Sequence, residues 1–191
     1  MKLTYLWFKA RAWVLLALGQ REAAHEVFLE LLKAFPGDSY AMASLAHLHA
    51  QAGRRSKAIT AYNDLLALHP DHGPGWFNLG FLLEEDEQWE AARRAFARAT
   101  ELSPDLDRAW YGLGLVLIRL GRLDEAVDAL KRNTQLQPMS PYGWYQLARV
   151  HVDRKEPDEA VKIIRHLHGF EPKVAAQLER ETGLLAKPAG H

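Results

Sequence analysis

The chain has 191 residues, with 24 Lys and Arg residues balanced by 24 Asp and Glu residues, and it contains no cysteine. This balance leaves no basic excess that would favour nucleic acid or an anionic membrane as the main partner. Without cysteine the chain can form neither a disulfide framework nor a thiolate metal site, so we expect a reducing, cytoplasmic location.

One spacing organises the chain, because prolines and tryptophans recur at intervals of 34 residues. The members are Pro36, Pro70, Pro104, Pro138 and Pro172, together with Trp76, Trp110 and Trp144. Self-similarity at such a period is the signature of a repeat architecture, in which each unit packs only on its neighbours. We therefore predict a single elongated domain over residues 1–191.

The N-terminal segment MKLTYLWFKARAWVLLALGQ has early positive charges followed by an apolar run, as a secretory signal does. The run is interrupted upstream by Lys9 and Arg11 and is too short to span a bilayer. Ala24 and Phe28 also fall on the 34-residue frame of the later copies. We interpret the segment as the first helix of repeat one, over about residues 5–38, and a signal peptide is the alternative.

Four further repeats follow on the same frame. They cover about residues 39–72, 73–106, 107–140 and 141–174. Two positions depart from the pattern: Asn133 is polar where a small apolar residue is expected, and Lys155 replaces the glycine between the two helices. In repeat five, Pro157 is expected to help the chain turn and begin the second helix.

Repeat three is the clearest copy and shows why each repeat should be a helical hairpin. Its first apolar stripe is Trp76, Leu79, Gly80 and Leu83, and its second is Ala92, Phe96 and Ala99. Steps of three and four residues place each stripe on one face of a helix, and each face can be buried only against the other helix or a neighbouring repeat. A proline such as Pro104 then ends the second helix, because it lacks an N–H group.

After Pro172 the segment VAAQLERETG places Val174 and Leu178 on one helix face and ends at Gly183. We predict a capping helix over about residues 174–183, because a solenoid end must cover its exposed apolar edge. Residues 184–191 are predicted to be a frayed tail.

The order Trp76-x-x-Leu79-Gly80-x-x-Leu83, followed by Ala92, Phe96, Ala99 and Pro104, resembles the tetratricopeptide repeat (TPR). The one departure is Leu83, where that family usually has Tyr. The resemblance covers nearly the whole chain and implies an all-α fold, a right-handed α-solenoid of five helix-turn-helix units plus a C-terminal capping helix. It also implies a non-catalytic scaffold for protein partners, without a cofactor.

In proteins that this chain resembles, the first helices line a concave binding groove. First-helix positions outside the core stripe carry many aromatic rings here, which a solvated face rarely does. The predicted groove residues are Lys9, Trp13, Tyr40, His47, Phe77, Asn78, Phe81, Arg108, Tyr111, Tyr142, Tyr145 and Arg149. We predict that they bind a peptide or partner segment with apolar side chains, and the alternative is that the rings pack between neighbouring repeats.

Some TPR proteins hold a C-terminal carboxylate with a clamp of Lys, Asn, Asn, Lys and Arg over three successive repeats. In repeats two to four these positions hold Ala43, His47, Asn78, Arg108 and Gly112. Only one Asn is kept and one Lys is replaced by Arg, so recognition through this clamp is not expected.

The third position of the repeat predicts an array end at the N-terminus. Repeats two to five have the small residues Ala41, Gly75, Ala109 and Gly143 there. Repeat one has Trp7, which together with Leu3 and Leu6 predicts an exposed apolar patch. Trp7 could fold down as its own lid, or the patch could dock to a second copy, a partner helix or a membrane surface. The alternative function is therefore an assembly or targeting module of a larger complex, at a membrane or away from one, acting through this edge or the convex face.

The nine histidines raise the question of a metal site. His69, Asp71 and His72 could meet in one loop, but no fourth ligand is evident. His49 and His151 stand where the TPR family usually has Tyr, which favours a structural role. No nucleophile has an activating frame, and no glycine-rich phosphate loop follows a strand. We predict no metal site, no cofactor and no catalytic activity.

Overall fold

A computed structural model describes residues 2–185 of the chain, and every regular element in that range is an α-helix. The helices are α1 (Lys2–Ala17), α2 (Arg21–Ala34), α3 (Ser39–Gln51), α4 (Arg55–Leu68), α5 (Gly73–Glu85), α6 (Trp89–Leu102), α7 (Asp107–Arg119), α8 (Leu123–Leu136), α9 (Pro141–Asp153), α10 (Pro157–His168) and α11 (Pro172–Thr182). In the described range this confirms the ten predicted repeat helices and the capping helix. None of the helices described is long and apolar enough to cross a membrane.

The helices form two compact units, Met1–Asp86 and Glu87–His191, which we call unit one and unit two. In unit one α1 packs on α2 and α3 on α4, while α2 also contacts α3 and α4 contacts α5. In unit two α7 packs on α8 and α9 on α10, while α6 contacts α7 and α8 contacts α9. The capping helix α11 packs on both α9 and α10. Each unit is therefore a series of helices in which successive neighbours bury one another.

The core of each unit contains one large side chain from every second helix. These side chains are Phe28, Tyr62, Phe96, Leu130 and Ile164, which share one position of the repeat and are almost completely buried. Burying a side chain of this size stabilises a fold by about 1.5 to 3 kcal/mol relative to leaving it in water.

The turn between the helices of each repeat contains a residue in the left-handed backbone region. Gly19, Gly53 and Gly121 have φ angles of 73°, 69° and 70° at this position. Lys155 adopts the same conformation with φ 62°, and so does Glu87 with φ 56°. Glycine is favoured here because it lacks a Cβ, but the conformation itself is common to all five repeats.

The spacing of proline and tryptophan has a hydrogen-bond explanation. In each case the indole Nε1 donates to the carbonyl of the proline six residues earlier. The pairs are Trp76 and Pro70 at 2.9 Å, Trp110 and Pro104 at 3.0 Å, and Trp144 and Pro138 at 2.8 Å. The tryptophan therefore joins each first helix to the loop before it.

The last proline of the frame behaves differently from the other four. Helices α2, α4, α6 and α8 end two residues before their prolines, as predicted, but α10 ends at His168 and Pro172 begins α11. Proline is favoured at the first position of a helix, where its missing N–H has no helical partner. Gly183 ends α11 with φ 70°, which confirms the predicted stop. Residues 186–191 of the predicted tail lie outside the described part of the chain.

The small residues at the third position of the repeat lie close to the preceding helix, as the sequence predicts. A Cβ added to Gly75 would lie 3.2 Å from Cδ2 of Leu65 in the preceding helix α4. Ala41 and Ala109 have no exposed surface. A close approach also occurs within repeat four, where a Cβ on Gly114 would lie 2.8 Å from the Leu130 side chain.

Candidate functional site

Exposed rings lie at one repeat position on the three first helices of unit one. Trp13 of α1 is 68% exposed, Phe81 of α5 is 48% exposed, and His47 of α3 is also exposed. The apolar stripes of these helices pack elsewhere, so the three rings are not needed to fill the core of unit one. They are available to contact a ligand.

Lys9 and Tyr40 of the predicted groove contact each other between α1 and α3. Lys9 Nζ lies 4.3 Å from the centroid of the Tyr40 ring and 5.4 Å from that of Tyr5. Tyr40 also packs edge-on against the buried ring of Phe28, with centroids 5.7 Å apart. Both side chains are half-buried, and their cation–π contact starts from Lys9, four residues before Trp13 on α1.

Asn78 has a structural partner that the sequence analysis missed. Burial raises the pKa of Tyr62 to about 12, and a hydrogen bond with the Asn78 side chain acts in the opposite direction. In unit two the same two repeat positions hold Phe96 and Gly112, and a Cβ on Gly112 would lie 2.6 Å from Phe96 Cζ. A buried hydroxyl needs a polar partner whereas a phenyl ring does not, so the presence of Asn78 is explained by Tyr62.

The predicted groove residues of unit two lie on α7 and α9. Tyr142 is 70% exposed, Arg108 and Arg149 are exposed, and Tyr111 and Tyr145 are half-buried. Helices α7 and α9 contact each other, so their faces lie side by side. Arg108 and Tyr111 both have contacts within the molecule.

Tyr145 and Arg149 meet a carboxylate from the capping helix. The Tyr145 hydroxyl donates to Glu181 Oε2 at 2.6 Å, and Arg149 Nη1 donates to the same oxygen at 3.3 Å and to the tyrosine hydroxyl at 3.2 Å. Gln177 Nε2 donates to the other oxygen, Oε1, at 2.8 Å. Hydrogen bonds from Tyr145 and Gln177 lower the pKa of Glu181, which therefore stays ionised at neutral pH.

A small cleft adjoins this carboxylate. It has a volume of about 240 Å³ and is lined by Pro141, Tyr142, Tyr145, Val174 and Gln177. Neither Glu181 nor Gln177 was predicted as a site residue. Pro172 is the one residue of α11 that the recurring pattern identifies, so no spacing indicates which of its other side chains would face α9.

The family model for the C-terminal domain of cilia and flagella-associated protein 70, a TPR domain, matches residues 9–168. The chain belongs to this family. The match confirms the TPR assignment, and it covers all the predicted groove residues, from Lys9 to Arg149. Among curated proteins, none matches the sequence significantly.

Solved TPR structures share the fold. One MamA crystal structure is 21% identical with a TM-score of 0.76 over 100% of both chains. MamA 41-end from Desulfovibrio magneticus RS-1 is 21% identical with a TM-score of 0.75, over 93% of this chain and 96% of that one. YrrB, described as a TPR protein with an unusual peptide-binding site, is 19% identical with a TM-score of 0.77 over 88% of each chain. These similarities confirm the all-α TPR solenoid fold.

Three histidines of this TPR chain have local structural roles. His69 Nε2 lies 2.7 Å from the Gly37 carbonyl, and His72 Nδ1 accepts a hydrogen bond from Gly75 N at the start of α5. His151 is buried, with Nδ1 2.7 Å from Glu156 Oε2. Among the residues described, no group of three His, Asp or Glu side chains is placed to hold a metal ion.

The outer face of the first TPR helix is uncovered in the described structure. Its predicted edge residues Leu3, Leu6 and Trp7 are all exposed. Val14 is 46% exposed, whereas Leu48 and Val116 at the same repeat position are at most 4% exposed. In α3 and α7 this position is buried, and both helices pack on the second helix of the preceding repeat.

Proposed function

We propose that this TPR chain is a non-catalytic protein-interaction scaffold whose first helices bind a peptide or a segment of a partner protein. The observation that carries the proposal is the exposure of three rings at one repeat position of unit one, at Trp13, His47 and Phe81. Exposed aromatic clusters on a soluble fold usually mark interaction sites. The description of YrrB as having a peptide-binding site supports the same class of function. A cytoplasmic location is part of the proposal, because the chain contains no cysteine.

The chemistry of this face favours a segment with apolar side chains. Trp13 and Phe81 offer large apolar surfaces, and the cation–π pair of Lys9 and Tyr40 joins α1, which carries Trp13, to α3. Rings of this kind bind apolar side chains with little loss of conformational entropy, because they have only two rotatable side-chain bonds. An extended or helical peptide presenting such side chains is the ligand that fits best.

Replacing both Trp13 and Phe81 with alanine should weaken peptide binding at least tenfold, because aromatic anchors dominate interface energies and often contribute about 2 kcal/mol each. The ligand would be a fluorescent peptide selected from a random-sequence library on the immobilised wild-type chain. Binding would be measured by fluorescence anisotropy.

The matched control replaces two other exposed apolar residues, Leu68 and Met139, which are 62% and 67% exposed and lie at the end of α4 and in the loop before α9. The Leu68→Ala, Met139→Ala variant should bind as the wild type does. Circular dichroism would establish that both variants keep their helices. Unchanged affinity of every selected peptide for the Trp13→Ala, Phe81→Ala variant would contradict the proposed binding face.

A second candidate function is assembly through the edge formed by Leu3, Leu6 and Trp7. The exposure of Val14 favours it, because the first helices α3 and α7 bury this position against the preceding helix. The partner would cover the face of α1 that corresponds to the faces of α3 and α7 covered by the preceding helices α2 and α6. The three candidate partners, a second copy, a foreign helix and a membrane surface, can be distinguished by experiment. Only a second copy would make the sedimentation coefficient of the purified chain rise with concentration, and only a membrane surface would make the chain float with vesicles.

Trp7→Glu tests the version in which a second copy covers the edge. The wild type should show a sedimentation coefficient that rises with concentration and a blue shift of tryptophan emission, and the variant should show neither, because a buried carboxylate is costly. Monomers with the same emission in both proteins would exclude self-association. Flotation with anionic vesicles, lost in the variant, would support a membrane surface instead.

A further inference from the structure

We propose that Tyr145 and Arg149 form a binding site for a carboxylate of a partner segment, and that Glu181 occupies this site in the free chain. The inference rests on the proposed function, because it names the ligand chemistry of the face on α9. Glu181 shows where the carboxylate would bind: Oε2 receives hydrogen bonds from both Tyr145 and Arg149. Tyr145 and Arg149 lie three repeats after Ala43 and His47 and take the same repeat positions, but they are a Tyr and an Arg where the TPR clamp has Lys and Asn.

The site can exchange its carboxylate without unfolding the cap. The side chains of Arg149 and Glu181 are 51% and 34% exposed, so solvent reaches the pair. Ion pairs at such exposure contribute little to stability, and the release of Glu181 should therefore be easy. Helix α11 is held by other residues, since Ala175 and Leu178 are completely buried. Rotation of the Glu181 side chain is enough to open the site.

The cleft beside the site indicates which side chain of the ligand would lie next to the carboxylate. Tyr145 and Gln177 belong to both features, since each lines the cleft and also binds the Glu181 carboxylate. The remaining lining, which includes Tyr142 and Val174, is largely apolar. A segment with an apolar side chain next to a carboxylate would fill both at once. A C-terminal carboxylate and an Asp or Glu side chain share this chemistry.

Three fluorescein-labelled probes separate these sources. The first is the peptide Gly-Ser-Gly-Ser-Leu-Leu with a free C-terminal carboxylate, the second is its C-terminal amide, and the third is an amide with Glu added after the last Leu. We expect the wild type to bind the first or third probe more tightly than the second. The tighter of the two identifies the source of the carboxylate.

Two substitutions test the roles of the site residues by fluorescence anisotropy. Glu181→Gln should tighten binding of the carboxylate probes about threefold, because it removes a competing surface ion pair. Arg149→Gln should weaken their binding about tenfold, because hydrogen bonds to charged groups are the stronger ones. Neither change should affect the amide probe. The side-chain amide resonance of Gln177 should also shift when a carboxylate probe is added to isotope-labelled protein.

A second ion pair in unit two provides matched controls. Arg98 and Glu101 lie 2.8 Å apart on α6 and are comparably exposed. Glu101→Gln and Arg98→Gln change the net charge in the same way and should leave the affinity of all three probes unchanged. Equal affinity of acid and amide probes in both the wild type and Glu181→Gln would overturn the inference. If library peptides still depend on Trp13 and Phe81 but not on Arg149, the proposed function stands and the carboxylate site does not.

Discussion

Replacing Phe96 with alanine should lower the free energy of unfolding by about 3 to 5 kcal/mol, because this ring is only 1% exposed and its removal leaves a cavity. Gly112→Ala should also destabilise the chain, by about 1 to 3 kcal/mol. Its Cβ would lie 2.6 Å from Phe96 Cζ, so the almost completely buried ring would have to shift. Urea denaturation followed by circular dichroism would measure both effects.

The double variant decides whether the two positions are coupled. Phe96→Leu, Gly112→Ala should be more stable than the two single changes predict by addition, because the smaller side chain leaves room for the new Cβ. An equivalent exchange outside this contact is Gly121→Ala, whose added Cβ would meet no atom within 4 Å, although its φ of 70° makes the substitution strained for another reason. Its effect should add to that of Phe96→Leu. Strict additivity of Gly112→Ala with Phe96→Leu would mean that the ring and the glycine do not share one space.

The same pair of positions explains a limit of sequence reasoning. The sequence places Asn78 in the predicted groove as the one asparagine kept at the positions of the TPR clamp. The structure pairs Asn78 with the buried hydroxyl of Tyr62, which lies on the helix before it. The two residues are 16 apart and neither is unusual alone. Only the contact shows that a Tyr at one position requires a polar residue at the other.

The fold could be predicted because its signal is repeated, whereas the contacts of the cap could not. A proline that recurs every 34 residues specifies where four of the five repeats end their second helix. At Pro172 the pattern changes, since this proline begins α11, whereas the other four lie in a loop two residues after a helix ends. The repeat pattern therefore does not predict which residues of α11 contact α9. The contact of Glu181 with Tyr145 becomes visible only in the structure.

Asn133 could be recognised as unusual from the sequence, but its partners could not. It is buried, and its Nδ2 donates to the Asp107 carbonyl at 2.9 Å. Its Oδ1 lies directly against Gly143, where any Cβ would overlap it. In the contact between repeats three and four, the corresponding residues are Ala99 and Ala109, both completely buried. A polar residue on one helix is thus accommodated by a glycine on the next.

Gly143→Ala should therefore destabilise the chain by about 3 kcal/mol, the upper end of the usual cost of overpacking, because Asn133 and its hydrogen bond must move. The double variant Asn133→Ala, Gly143→Ala recreates the pair found at Ala99 and Ala109 and should recover most of that loss. It gives up one hydrogen bond, worth about 1 kcal/mol, but the Asp107 carbonyl has a second lone pair for its helical partner. Urea denaturation gives the totals, and hydrogen exchange in α8 and α9 shows where stability changes. A double variant that is no more stable than Gly143→Ala alone would mean that the glycine is required by something other than the asparagine.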